Sequence, residues 1–257
     1  MPPITATSDP PLGGSSLLPS SSSNAKRPSI VKCDTTTEAN KFIYDAWAAN
    51  YSTDIRDWGY VMPEKVAQLL FDKKYCLGCV CRCNFCDTEK CNPQAKKISI
   101  LDAGAGDGLS GLALRDVGFD ETTAHIVGAD VSPKMLEIAK ERKCYDDTKV
   151  VDLNKPLPFA KDSFDCVTCV GTLTYVDPNS GVLDEFVRIT RPGGLICYTN
   201  RTDKLDGWSE VEEHLDSTGR WYQETDPIGP LPYLPKNEEY GKDVEVVIAL
   251  YRVLDPE

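Results

Sequence analysis

Apolar residues recur at helical spacing from Phe42 and Ile43 to Ala46 and Trp47, which predicts a helix beginning near Thr35, with Glu38 three positions on completing a capping-box pattern. A second amphipathic helix is expected from about Pro63 through Val66, Leu69 and Leu70, since proline suits a first helical turn. A cysteine-rich stretch follows, and then a regular alternation sets in. Ile98 to Asp102 reads as a strand, Leu109 to Val117 as a helix, and His125 to Asp130 as a second strand. Ser132-Pro133 opens a helix through Met135, Leu136, Ile138 and Ala139. Lys149 to Leu153 and Phe164 to Val170 are further strands, and the helix Leu183 to Ile189 is expected to stop at Arg191-Pro192-Gly193-Gly194 before a fifth strand, Leu195 to Thr199.

Beyond Asn200 the pattern predicts a helix near Trp208 to Leu215, a strand near Arg220 to Thr225, and a loop carrying Pro227, Pro230, Pro232 and Pro235. The nearly continuous apolar run within Val244 to Leu254 is expected to be an interior strand. Helices alternating with short apolar strands imply an α/β fold whose mostly parallel sheet is covered by helices on both faces. Residues 1–33 are rich in Ser and Pro and poor in large apolar side chains, so a disordered tail is expected there, followed by one domain over 34–257.

The net charge of −12 repels a phosphate backbone and turns the reading away from nucleic acid. No apolar run reaches the roughly 18 residues that a membrane span needs. Eleven cysteines without a secretory leader suggest reduced thiols and a cytoplasmic setting, with organellar import through the tail as an alternative. Six of them, Cys76, Cys79, Cys81, Cys83, Cys86 and Cys91, form an expected insertion over 75–92 that reads as a loop of free thiols, a site for zinc or another soft metal, or disulfides. The spacing is not a standard paired metal motif, and no metal ligand is assigned.

The strand-to-helix turn Asp102-Ala103-Gly104-Ala105-Gly106-Asp107-Gly108 would let a ligand approach the backbone. Read from Gly106, the segment to Gly111 satisfies a dinucleotide pattern, but its first glycine lies four residues past Asp102 and Asp107 would face a pyrophosphate. The acids suit a ligand with a cationic amino-acid end, such as S-adenosylmethionine. Asp130 ends the next strand, where a carboxylate can accept ribose hydroxyls, and Asp152 with Leu153 could read an adenine edge and face.

Ile98 to Gly108, the segment Gly128-Ala129-Asp130-Val131-Ser132-Pro133-Lys134-Met135-Leu136 and Arg191 to Gly194 resemble class I S-adenosylmethionine-dependent methyltransferases. Tyr44-Asp45-Ala46-Trp47-Ala48-Ala49-Asn50-Tyr51, Tyr60 with Pro63, Val170-Gly171 and Arg201-Thr202 are similar to the Williams-Beuren-region methyltransferase-like family. The resemblance implies a Rossmann-like, mostly parallel seven-stranded sheet with an N-terminal helical lid. It implies S-adenosylmethionine as cofactor, with Tyr51, Asp102, Gly104, Ala105, Gly106, Asp130, Val131, Met135, Asp152, Leu153 and Val170 binding it.

Tyr51, Thr172, Tyr175 and Arg201 are expected to position the reactants. Thr172 and Thr174 lie just past the fourth strand, and Arg201 could clamp a substrate carboxylate or pair with Asp203. His125 and His214 are the chain's two histidines; the first reads as structural and the second sits on an acidic helix. A scarcity of bases favours an acceptor that loses no proton. The expected function is methyl transfer to a small molecule, a thioether or carboxylate-bearing metabolite, with the S-methylation of a thioether hydroxy acid on the way to dimethylsulfoniopropionate as one candidate. The alternatives are a protein methyltransferase and a non-catalytic cofactor-binding module. The oligomeric state is not legible.

Overall fold

The computed structural model describes residues 36–74, 97–239 and 243–255. The expected tail, the cysteine segment and the initiating Thr35 therefore lie outside the described residues.

Three helices precede the sheet: α1 (Thr37–Trp47), α2 (Tyr51–Asp57) and α3 (Met62–Asp72). Helix α1 begins after an extended Thr36 whose side chain makes no capping bond. Then β1 (Ile98–Ala103), α4 (Leu109–Asp116), β2 (Ala124–Asp130), α5 (Pro133–Glu141), β3 (Asp147–Val150), β4 (Phe164–Cys169), α6 (Val182–Ile189) and β5 (Thr190–Arg201) alternate. The chain ends with α7 (Asp206–Ser217), β6 (Trp221–Gln223), β7 (Ile228–Pro232) and β8 (Glu245–Val253).

The sheet order is β3-β2-β1-β4-β5-β8-β6, with β7 also on β8. Strands β1 to β5 run parallel, and β8 lies antiparallel between β5 and the β6 and β7 pieces. The expected seven strands are eight, because the proline loop contains β7. Its Pro230 and Pro232 are tolerated where one side of a strand needs no ladder partner.

Two further boundaries moved. β3 ends at Val150 rather than Leu153, because Asp152 turns the chain by accepting the Asn154 N–H at 3.0 Å. β5 begins at Thr190, directly after α6, and passes through the expected stop by a bulge opposite Phe164 and Cys166, with Gly193 at φ +79°.

Successive strand residues face opposite layers. Ile100, Ile126, Cys166 and Cys197 pack with Val66, Leu70 and Leu114 on one face, and Leu101, Val127, Val167 and Ile196 pack with Leu183, Phe186 and Trp208 on the other. Both faces being apolar, the carboxyl ends of the parallel strands are the place left for polar chemistry. No helix among the described residues is long and apolar enough to cross a membrane.

Candidate functional site

At the carboxyl end of β1, Gly104, Gly106 and Gly108 take φ values of +80°, +52° and +98°, which β-carbons disfavour. The N–H groups of Gly104 and Ala105 both donate to Ala129 O, at 2.7 and 2.9 Å, and this folds the turn back against β2. A β-carbon on Gly104 would stand 2.1 Å from Thr172 Oγ1, so the turn and the end of β4 approach to a distance only glycine allows. Asp130, at the tip of β2, accepts Gly106 N–H on one carboxylate oxygen and Ser132 N–H on the other, each at 2.8 Å. Burial raises its pKa, and these backbone donors oppose the rise. Ser132 in turn caps α5 by accepting Met135 N–H at 3.1 Å.

Above this rim lies a cleft of about 860 Å³ including its open mouth. Its floor is built from the glycine turn, Asp130 to Met135, the Val151 to Asn154 turn and Val170 to Val176, and its roof from α1, α2 and Tyr60. The roof is tied down across large sequence distances. Thr37 Oγ1 donates to Asp152 Oδ1 at 2.9 Å, Asn40 Nδ2 to Tyr175 O at 3.3 Å, and Ser132 Oγ to Asp45 Oδ1 at 2.5 Å. Ser52 and Arg142 both donate to Asp107 Oδ2, the latter at 2.7 Å.

Of the residues expected from sequence, Tyr51, Gly104, Ala105, Gly106, Asp130, Val131, Met135, Asp152, Leu153, Val170, Thr172 and Tyr175 all line the cleft. Asp102 does not. It is fully buried below the turn, where its Oδ2 accepts the Tyr145 hydroxyl at 2.5 Å and burial pushes its carboxyl up to about 7. Arg201 is also elsewhere: its guanidinium holds Asp203 through two hydrogen bonds of 2.9 and 2.6 Å and lies 5.7 Å over the Tyr233 ring. Of the two sequence readings of Arg201, the Asp203 pair holds, in a buried rather than solvated setting. Thr174 meets Asn200 instead of the cleft. Neither His125, beside Asp146, nor His214, on α7, lines it.

Sequence reasoning missed Thr37, Asn40 and Asn154 as lining residues and quoted Tyr44 without a role. Their signal is tertiary, since α1 and the residues after β3 meet only in the fold. Among the described residues, no group of His, Cys, Asp and Glu is arranged to hold a metal ion.

The lining fits an adenosyl sulfonium ligand. Gly104 brings the turn against Thr172 with no space for a side chain between them, and Asp130 keeps lone pairs after its bonds to Gly106 and Ser132 N–H. Val131 and Leu153 flank it with apolar surface, and Asp107 has one buried oxygen, Oδ1, without a hydrogen-bond partner. Asp130 and Val131 suit a ribose and base, and Asp107 with the turn suits the amino-acid end.

Residues 101–198 match a family described as methyltransferase domain. The chain is 29% identical over 184 residues to methyltransferase-like protein 27 of Homo sapiens, an alignment covering 69% of this chain and 66% of that protein. A demethylmenaquinone methyltransferase of Clavibacter sepedonicus is 44% identical over 100 residues, 38% of each chain. The chain thus spans just under two thirds of the first relative's length and far less of the second's. Among solved structures, the [4+2]-cyclase SpnF superposes with a TM-score of 0.59 at 15% identity, over 86% of this chain and 98% of that one. A TehB-like methyltransferase from Corynebacterium glutamicum superposes with a TM-score of 0.53 at 16% identity, over 81% and 98%. At that identity the likeness is one of fold.

Proposed function

We propose, from the premise that this chain belongs to the class I S-adenosylmethionine-dependent methyltransferases, that it transfers a methyl group to a small-molecule acceptor enclosed under α1 and α2. Residues 34–257 are read as one methyltransferase unit with those helices as its lid, working in the cytoplasm. The observation that carries the small-acceptor reading is the roof: bonds that Thr37, Asn40, Asp45 and Ser52 make with the floor hold α1 and α2 over the cleft and leave it a mouth rather than an open trough. The acidic chain, at −12, also suits a metabolite better than RNA.

Bound in the cleft, S-adenosylmethionine supplies a methyl group already activated by a sulfonium. The chain contributes position and dryness. Asp130 accepts from the ligand's hydroxyls while its backbone bonds fix the carboxylate, the Gly104 turn admits the methionyl part, and Thr172 and Tyr175 stand at the end of β4 where the acceptor must arrive. Burial raises the pKa of Tyr51 well above its ordinary value, so that hydroxyl stays protonated and acts as a hydrogen-bond partner rather than a base. An acceptor that loses no proton, such as a thioether, suits this lining. Methyl-labelled cofactor incubated with the protein and a cell extract should leave label in the small-molecule fraction. Label confined to polypeptide, or none in either fraction, would reject the reading.

A further inference from the structure

We infer that the acceptor end of the cleft is a tyrosine cage for a nucleophile that carries no negative charge and becomes a cation on methylation, a thioether giving a sulfonium or a tertiary amine giving a quaternary ammonium. This deepens the transfer reading and rests on it.

Four rings line the cleft near the end of β4: Tyr44, Tyr51, Tyr60 and Tyr175. Tyr44 is the hub, with its centroid 5.9 Å from Tyr51 and 6.2 Å from Tyr175, each pair inclined at 67°. Edge-to-face packing of this kind leaves the rings facing different ways, as an enclosure requires. Tyr60 closes another side, its hydroxyl so near Gly171 that a β-carbon there would stand 2.6 Å from it. Ring faces carry negative potential and attract cations, most strongly where water is excluded.

The charge of the walls points the same way. The carboxylates lining the cleft are Asp107, Asp130 and Asp152, and among the described lining residues there is no Lys, Arg or His. Arg142 meets Asp107 and Lys155 meets Asp152 from outside the lining, and Arg201 is engaged by Asp203. A carboxylate-bearing acceptor would meet no cationic side chain among the described lining residues, which removes the physical basis for an Arg201 clamp. A neutral lone pair meets no such barrier.

In the transfer, the acceptor's lone pair forms a bond to the methyl carbon as the carbon's bond to the sulfonium sulfur breaks. That sulfur keeps the bonding pair and becomes neutral, and the positive charge passes to the acceptor. With a thioether no proton moves, which agrees with a described lining that holds no histidine and in which burial keeps the Tyr51 and Tyr60 hydroxyls protonated; a tertiary amine that arrives protonated must first release its proton to solvent.

The test is an NMR titration of the full chain, saturated with S-adenosylhomocysteine, by trimethylsulfonium, tetramethylammonium, tert-butanol and propionate. The expected result is that at least one cation binds about tenfold more tightly than tert-butanol, a difference of about 1.4 kcal/mol, while propionate shows no saturable shift. Preference for the sulfonium assigns a thioether acceptor, and preference for the ammonium assigns an amine. Tyr44→Phe should keep the cation affinity within about twofold and Tyr44→Leu should lower it about fivefold. Cations no better than tert-butanol, or propionate binding as well as either cation, would overturn the cage while leaving methyl transfer standing. If S-adenosylhomocysteine itself fails to bind, the transfer reading falls and the cage with it.

Discussion

Thr37 Oγ1 donates to Asp152 Oδ1 at 2.9 Å, joining the first turn of the roof to the turn after β3. The same hydroxyl accepts from Asn154 Nδ2 at 3.3 Å, and Asp152 accepts Asn154 N–H. One side chain from α1 therefore completes a small network at the end of the cleft proposed to hold the base.

Thr37→Val keeps the shape and removes the hydroxyl. One net hydrogen bond to a charged group is worth about 1.5 kcal/mol, so S-adenosylhomocysteine should bind about tenfold more weakly, and amide exchange along α1 should quicken. Unchanged affinity together with unchanged exchange would show that the bond does not hold the roof.

Gly104→Ala places a β-carbon where Thr172 already stands and at a φ of +80°. Binding of S-adenosylhomocysteine by calorimetry should be lost. Thr172→Gly in the same chain should recover part of it by removing the clash while the backbone strain stays. Full binding in the single variant would place the ligand away from this turn.

Asp130→Ala removes an acceptor from two backbone N–H groups and from the proposed ribose contact. Cofactor binding should weaken by on the order of 2 kcal/mol. Asp130→Asn should fall between this variant and the parent, because an amide retains one accepting oxygen. Parental affinity in Asp130→Ala would reject the ribose role.

Asp102 gives a pH signature. Its carboxyl, near 4 in the unfolded chain, rises to about 7 in the folded one, because burial outweighs the Tyr145 hydrogen bond. The folded state therefore holds a proton that the unfolded state has released between these values. The associated stability is complete below pH 4 and declines as pH rises through 7. Between pH 5.5 and 8 the parent should lose on the order of 2 kcal/mol relative to Asp102→Asn, read by denaturant unfolding. A pH-independent gap would mean that Asp102 is ionised throughout.

Much of this site could be read from local pattern. The Gly104 to Gly108 turn, Asp130 at the next strand tip and Ser132-Pro133 before a helix are short-range signals, each tied to a backbone need within a few residues. Asp102 misled because sequence gives its position at the end of β1 but not the side its carboxylate takes. The Tyr145 hydroxyl, from 43 residues on, decided that. Arg201 misled in part because the nearby Asp203 engages its Nε and Nη2 groups together.

By itself, the sequence determined the parallel sheet, its covering helices and the glycine turn at its carboxyl edge, because strand and helix periodicities and φ preferences act over a few residues. Only the tertiary structure decided which side chains tie α1 and α2 to that edge, that Tyr44 joins Tyr51 and Tyr175 there, and that Asp102 and Arg201 turn elsewhere. Those outcomes depend on contacts such as Asn40 to Tyr175 O, 135 residues apart. Contacts at such separation leave no periodic trace in the chain; they exist only where packing has already brought the elements together.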